Sequence, residues 1–284
     1  MYHLSRRDFL RAMSLSGASI VLLGCQPATN APAATETKPV TQPAVAAPVA
    51  ASAISARGFI ESPMLAERVA AGTLPPIDER LPVDVFMVGP GVLLQEEYQD
   101  WQDGVFGGTI NVASIFPTGF TFLGGGGTIL RSPGQTTGKS VPNVVSAFSH
   151  SDDYTTFQFT IRKGLKWSDG VPLTTEDVRF HFEDIYGDPE VQRPWPAQLY
   201  AQGNSELGPA TLKVIDDFNF ELTFSAPYGF FIADLNSWIP NYELLFKPAH
   251  YLKQFHKKYA KPEELAAELK KNNAESWVQL LQTK

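Results

Sequence analysis

Between residues 156 and 178 the chain changes its periodicity in a way that dictates a strand and then a helix. Thr156 to Arg162 alternates, with Phe157, Phe159 and Ile161 on one face and Gln158, Thr160 and Arg162 on the other. That is the two-residue period of a strand buried on one side. Lys163-Gly164 and Ser168-Asp169-Gly170 are turn sequences. Pro172 then leads into Thr174-Thr175-Glu176-Asp177, a hydroxyl cap followed by acids in a first helical turn. Val178, Phe182 and Ile185 are predicted to share one face of that helix. A strand that hands directly to a capped helix calls for a mixed α/β layer.

The flanking segments repeat this grammar. Ser62-Pro63, followed by Met64, Leu65 and Val69 and closed by Gly72, predicts a short helix that Leu74-Pro75-Pro76 stops. Gly107 to Ala113 reads as a strand entered through a glycine pair. Lys213 to Asp216 and Phe220 to Phe224 read as a hairpin, turned by Asp217-Phe218-Asn219 and ended by Ala226-Pro227-Tyr228. Pro262 to Thr283 is helical in composition, with Leu265, Leu269, Trp277, Leu280 and Leu281 as apolar anchors. With 43% hydrophobic residues the chain has material for a core. With a net charge of -7 it lacks the basic excess of a nucleic-acid binder.

The N-terminus obeys different rules. Arg6-Arg7 precede an apolar run, Ala12 to Gly24, which is too short to cross a bilayer core that needs about 20 residues. A secretory signal over residues 1–24 is expected instead. Leu22-Leu23-Gly24-Cys25 resembles the lipobox of bacterial lipoproteins, and Cys25 is the chain's one cysteine. The resemblance implies a diacylglyceryl thioether on Cys25, with cleavage making it the first residue. Ser5-Arg6-Arg7-Asp8-Phe9-Leu10 also resembles a twin-arginine export signal. The expectation is an exported periplasmic or cell-surface lipoprotein. Loss of residues 1–24, with three arginines and one aspartate, takes the net charge from -7 to -9. Attachment would then come from acyl chains rather than from charge. Residues 25–57 are rich in Ala, Pro and Thr and nearly devoid of large side chains, which predicts a disordered tether.

The string from Phe159 to Val178, with Lys163-Gly164-Leu165-Lys166-Trp167-Ser168-Asp169-Gly170 at its centre, resembles the signature of family 5 solute-binding proteins. Gly107-Gly108-Thr109-Ile110, the stretch from Val214 to Pro227, and Ser62-Pro63-Met64-Leu65 with Glu79-Arg80-Leu81-Pro82 agree with it. These proteins are the extracytoplasmic receptors of oligopeptide, dipeptide and nickel ABC importers. The resemblance implies a two-lobed periplasmic-binding-protein-like fold. Residues 58–284 would be the early part of its first lobe. It further implies a small solute, with a peptide first in line, ABC permease subunits as partners, a monomer, no cofactor and no catalysis. The chain ends at Leu281-Gln282-Thr283-Lys284 inside a helical pattern, so an N-terminal fragment lacking the second lobe is expected.

Within the signature, Trp167 is expected to pack under the Ser-Asp-Gly turn and Asp169 to bond within that turn. For the solute wall, two candidates stand out. One is the loop Ser114-Ile115-Phe116-Pro117-Thr118; the other is Phe180, at the position that resembles a wall residue in peptide-binding relatives. Gly124 to Gly127 departs from the family, where a more apolar helix is usual.

Other chemistries find little support. Pro133 to Ser140 looks like a phosphate loop, but Pro133 stands where glycine is required and Gly134 is one residue too close. His150, His181, His250 and His256 form no HExxH pair, and no Gly-x-Ser-x-Gly elbow is present. His250 and His256, among Lys247, Lys253, Lys257 and Lys258, read as a solvated face. A lipid-anchored hydrolase and a non-transport sensor or chaperone-like lipoprotein are the alternative readings.

Overall fold

A computed structural model of the chain describes residues 55–87, 102, 104–109, 127–131, 140–236 and 241–284. Its centre is a four-stranded antiparallel sheet. Strands β3 (Val145–His150), β4 (Thr156–Ile161), β5 (Thr211–Val214) and β6 (Asn219–Thr223) lie in the order β3-β4-β6-β5. A short pair, β1 (Leu130–Arg131) and β2 (Val141–Pro142), stands apart as its own ladder.

The alternation read from the sequence sets the register. Phe159 pairs with Phe220 and Phe157 with Leu222 across β4 and β6. All four are buried, and the Phe159 and Phe220 rings stack with centroids 5.3 Å apart. The opposite face is polar and bonded across the strands. Gln158 Nε2 donates to Glu221 at 3.0 Å, and Thr160 Oγ1 donates to Asn219 at 2.7 Å. A one-residue slip would exchange these faces, so the register is strongly specified. The hairpin turn is made by Asp216, whose Oδ1 accepts the N–H groups of Phe218 and Asn219.

Short helices surround the sheet: α1 (Ala66–Ala70), α2 (Ile77–Arg80), α3 (Thr175–Phe180), α4 (Phe231–Asp234), α5 (Ala249–Leu252), α6 (Pro262–Lys271) and α7 (Trp277–Gln282). The first ends at Gly72, which takes φ +69°, as the sequence anticipates. Helix α3 continues as a π-helix from His181 to Tyr186, closed by Gly187 N–H donating to Phe182 O at 2.9 Å. This widening corrects the single apolar face expected for Val178, Phe182 and Ile185. Wider i→i+5 turns rotate later residues away from the α-helical stripe. Val178 and Phe182 therefore join the sheet's core, whereas Ile185 joins Phe180 in a second one.

That second core lies between α3 and the C-terminal helices, with Leu252, Phe255, Leu265, Leu280 and Leu281. The helical tail divides into two helices, α6 and α7. Asn273 takes φ +51° between them, and Ser276 restarts the chain by accepting Gln279 N–H at 3.1 Å. The strand expected at Gly107–Ala113 falls largely outside the described residues.

Candidate ligand-binding site

The signature strand–turn–helix forms a clasp. Gly164 takes φ +88°, and its Cα lies so close to Pro82 and Val83 that a Cβ would stand 3.1 Å from their backbone. Val83 N–H donates to Lys163 O at 3.0 Å. Arg162, almost wholly buried, donates to the backbone of Asp84 at 2.6 Å and to its carboxylate at 2.7 Å. Lys166 Nζ reaches Glu79 O at 2.9 Å. The turn residues thus hold residues 79–84 against the sheet.

Trp167 does pack at this turn. Its backbone N–H donates to Val171 O at 2.8 Å, and its ring lies 6.3 Å from that of Tyr242. Asp169 Oδ1 accepts Val171 N–H at 3.1 Å, as expected of a turn aspartate, while its other oxygen meets His250 Nε2 at 2.6 Å. The His250 contact holds the Asp169 carboxyl below its ordinary range.

The helix start is a capping box. Thr174 Oγ1 accepts Glu176 N–H at 3.3 Å, and Asp177 Oδ2 accepts Thr174 N–H at 2.9 Å. Asp177 is buried, and its other oxygen accepts Ala249 N–H at 2.9 Å, which docks α5. Burial pushes the Asp177 carboxyl up, opposed by those two N–H groups.

The expected solvated face of histidines and lysines holds for His250, Lys257 and Lys258, which are exposed, and is corrected at one residue, His256. His256 is fully buried against Phe180 and Trp277, because the apolar side chains of α7 close over it. Burial lowers its pKa. Lys253 pairs with Glu176, and Lys258 Nζ donates to Asp184 at 2.7 Å. Arg179 forks onto Glu176 at 2.7 Å and reaches Glu183 at 2.6 Å. Bonds from Arg179, then Lys253, carry Glu176 down to about 2 against the opposing effect of burial. Burial works to raise the Asp184 carboxyl, but Lys258 and Tyr259 outweigh it and hold the group low. These side chains knit α3 to the C-terminal helices. His181, also buried and stacked on Tyr186, is carried down to about 3 by burial.

A separate concavity of about 630 Å³ opens beside the end of β6. Its lining includes Gln198, Gln202, Tyr228, Gly229, Phe230 and Asp234. Tyr228 is nearly buried and its hydroxyl donates to Asp234, while Phe230 is 63% exposed. Burial, then the Asp234 carboxylate, pushes the Tyr228 phenol far up, so the phenol keeps its proton. Gln202 sits at φ +54° with its Nε2 donating to Pro227 O at 2.9 Å. A non-glycine residue in that region costs about 1 kcal/mol. A second concavity of about 350 Å³, with His150 and Tyr154 in its lining, shares Gly229. The sequence reading missed both. The paired Ala226-Pro227-Tyr228 looked like a strand end, and nothing in its spacing shows that Asp234 turns back to meet Tyr228.

Of the sequence-derived site residues, Phe180 is described and has no exposed surface. Its ring lies 5.9 Å from that of His256 and 6.0 Å from that of Tyr259. Arg6, Arg7, Leu22, Gly24, Cys25, Ser114, Ile115 and Phe116 lie outside the described residues. Among the described residues there is no cluster of three or more His, Cys, Asp or Glu side chains able to hold a metal, and no helix long and apolar enough to cross a membrane.

The sheet, the clasped turn and the capped helix define a class. Residues 139–277, just under half of the chain, match the middle region of the bacterial extracellular solute-binding proteins, family 5. Among solved structures, an oligopeptide-binding protein OppA is 30% identical, with a TM-score of 0.63 over 80% of this chain and 33% of that one. The periplasmic alpha-galactoside-binding protein of Rhizobium meliloti is 28% identical over 225 residues, 68% of this chain and 28% of its own length. The periplasmic oligopeptide-binding protein OppA of Salmonella typhimurium is 29% identical over 104 residues, 33% of this chain and 19% of its own. The fold is that of periplasmic binding proteins, and the chain spans a third or less of the length of these relatives.

Proposed function

We propose that the chain is part of an extracytoplasmic solute receptor that serves an ABC importer and holds its solute without chemical change. The observation that carries this is the family 5 match over 139–277, which falls on the clasped turn, the capping box and most of the second core. The names of its relatives cover an oligopeptide and an alpha-galactoside, so a peptide or a saccharide is the class of solute. The organisation follows the sequence: an export signal over 1–24 with Arg6 and Arg7 ahead of Leu22 and Gly24, a tether over 25–57, and a solute-binding segment over 58–284. Cys25 carries the lipid, and the tether holds the receptor off the membrane as a monomer that meets permease subunits. The loop of Ser114, Ile115 and Phe116 contributes solute wall. Phe180 is the second candidate for that wall, and with no exposed surface it would need a rearrangement of the second core to reach a solute.

Receptor and hydrolase separate cleanly in one assay. The full chain is incubated with peptide and oligosaccharide pools, and the bound and free fractions are analysed by mass. Unaltered pools with one solute depleted into the bound fraction are expected. Accumulating cleavage products would overturn the reading. Intact-mass analysis from the native host tests the anchor: a mass beginning at Cys25 with added acyl groups is expected, and an unprocessed Met1 would contradict it.

A further inference from the structure

We propose that the concavity beside Tyr228 and Phe230 is a binding site for a neutral saccharide. The inference deepens the receptor reading by naming the class of solute, and it rests on that reading for its biological meaning. At about 630 Å³ the concavity falls within the roughly 300–1,000 Å³ of small-molecule sites. Its lining offers an exposed aromatic ring, a phenol, a carboxylate and two amides, with Ala197, Gly203 and Gly229 adding little bulk.

Each group suits a polyol. Phe230 is left 63% exposed at the rim, and its ring offers a flat apolar surface to the C–H face of a pyranose. Asp234 accepts the Tyr228 proton on Oδ2, which among the described residues leaves Oδ1 to accept from a ligand hydroxyl. Gln202 uses Nε2 on Pro227 O and keeps its amide oxygen, while Gln198 is exposed and brings both a donor and an acceptor. No lysine or arginine lines this concavity or the adjoining one at Gly229. A peptide's terminal carboxylate would find no cation there, and Asp234 would repel it. A neutral ligand rich in hydroxyls meets no such charge penalty. The left-handed backbone of Gln202 and Gly203 fits the same picture, since residues held in unusual conformations cluster where ligands are clamped. The neighbouring concavity of about 350 Å³, sharing Gly229, offers space for a further sugar unit.

The test is calorimetric titration of the full chain with maltose, lactose and raffinose, and with trialanine as the competing class. At least one saccharide is expected to bind with a Kd of about 1 mM or tighter. Phe230→Ala is expected to weaken it at least about tenfold without moving the melting temperature, because that ring is mostly outside the core. Gln198→Ala checks the polar side independently and is expected to weaken the same saccharide several-fold. The proposal is overturned if none of the three saccharides binds, if trialanine displaces them at this site, or if both variants bind as the unaltered protein does. Saccharide binding that survives both variants would place the solute elsewhere and leave the receptor reading standing. Cleavage of the saccharide would instead count against the receptor reading.

Discussion

Single side chains decide where this molecule is held together. Glu176 serves two cations, Arg179 on its own helix and Lys253 beside α5, and they bring its pKa down to about 2, so the fold favours its charged form. An unfolded chain would titrate near the ordinary 4.5. The stabilisation is therefore fully present above that value and lost as pH falls through about 2. Thermal melts of the wild type and Glu176→Gln should differ at pH 7 and converge between about pH 4.5 and pH 2. A gap that stays constant across this range would show that the Glu176 pairs contribute nothing through charge. The sequence places these lysines at the surface, as the structure does for Lys257 and Lys258, but does not show the carboxylates that Lys253, Lys257 and Lys258 meet. Their partners, Glu176, Asp184 and Glu190, lie 60 to 80 residues earlier, a pairing that no local pattern encodes.

Elements show which parts of the fold are local decisions. β4, β6 and the capped start of α3 were legible because a two-residue alternation and a hydroxyl cap act within a few residues. The edge strand β3 was not legible. Its sequence, Val145-Ser146-Ala147-Phe148-Ser149-His150, carries little apolar alternation, and its pairing with β4 includes a register shift between Val145 and Ala147. The π-helical end of α3 escaped for another reason: its apolar spacing reads equally well as an ordinary helix. Gly187 is what admits the wider turn, since a Cβ there would lie 2.9 Å from Glu183 O and 3.0 Å from Phe182 O. Gly187→Ala should therefore lower stability by about 1–3 kcal/mol, the range for forced overpacking, read as a reduced urea midpoint. An unchanged midpoint would show that the turn adapts and that the glycine is not what shapes it.

At the scale of the whole molecule, the two cores share one helix. α3 gives Val178 and Phe182 to the sheet and Phe180 to the C-terminal helices, so the sheet and the tail are braced by the same ten or so residues. The family signature surrounds that brace: Arg162 and Lys166 clasp residues 79–84, while Asp169, Glu176 and Asp177 bond to the C-terminal segment. This explains why a resemblance strong enough to place the family said little about the solute: the most recognisable residues are structural. The concavity that carries ligand chemistry lies on a stretch from Gln198 to Asp234 whose members meet only after folding.

A receptor of the kind proposed here captures a solute and leaves it intact. Native mass spectrometry of the full-length protein, gently released from its own host, tests it most directly. The expected result is a non-covalent complex with one small solute that dissociates on activation and is recovered chemically unaltered. A protein that stays bare when offered peptide and saccharide pools, or one that releases cleaved fragments of them, would contradict it.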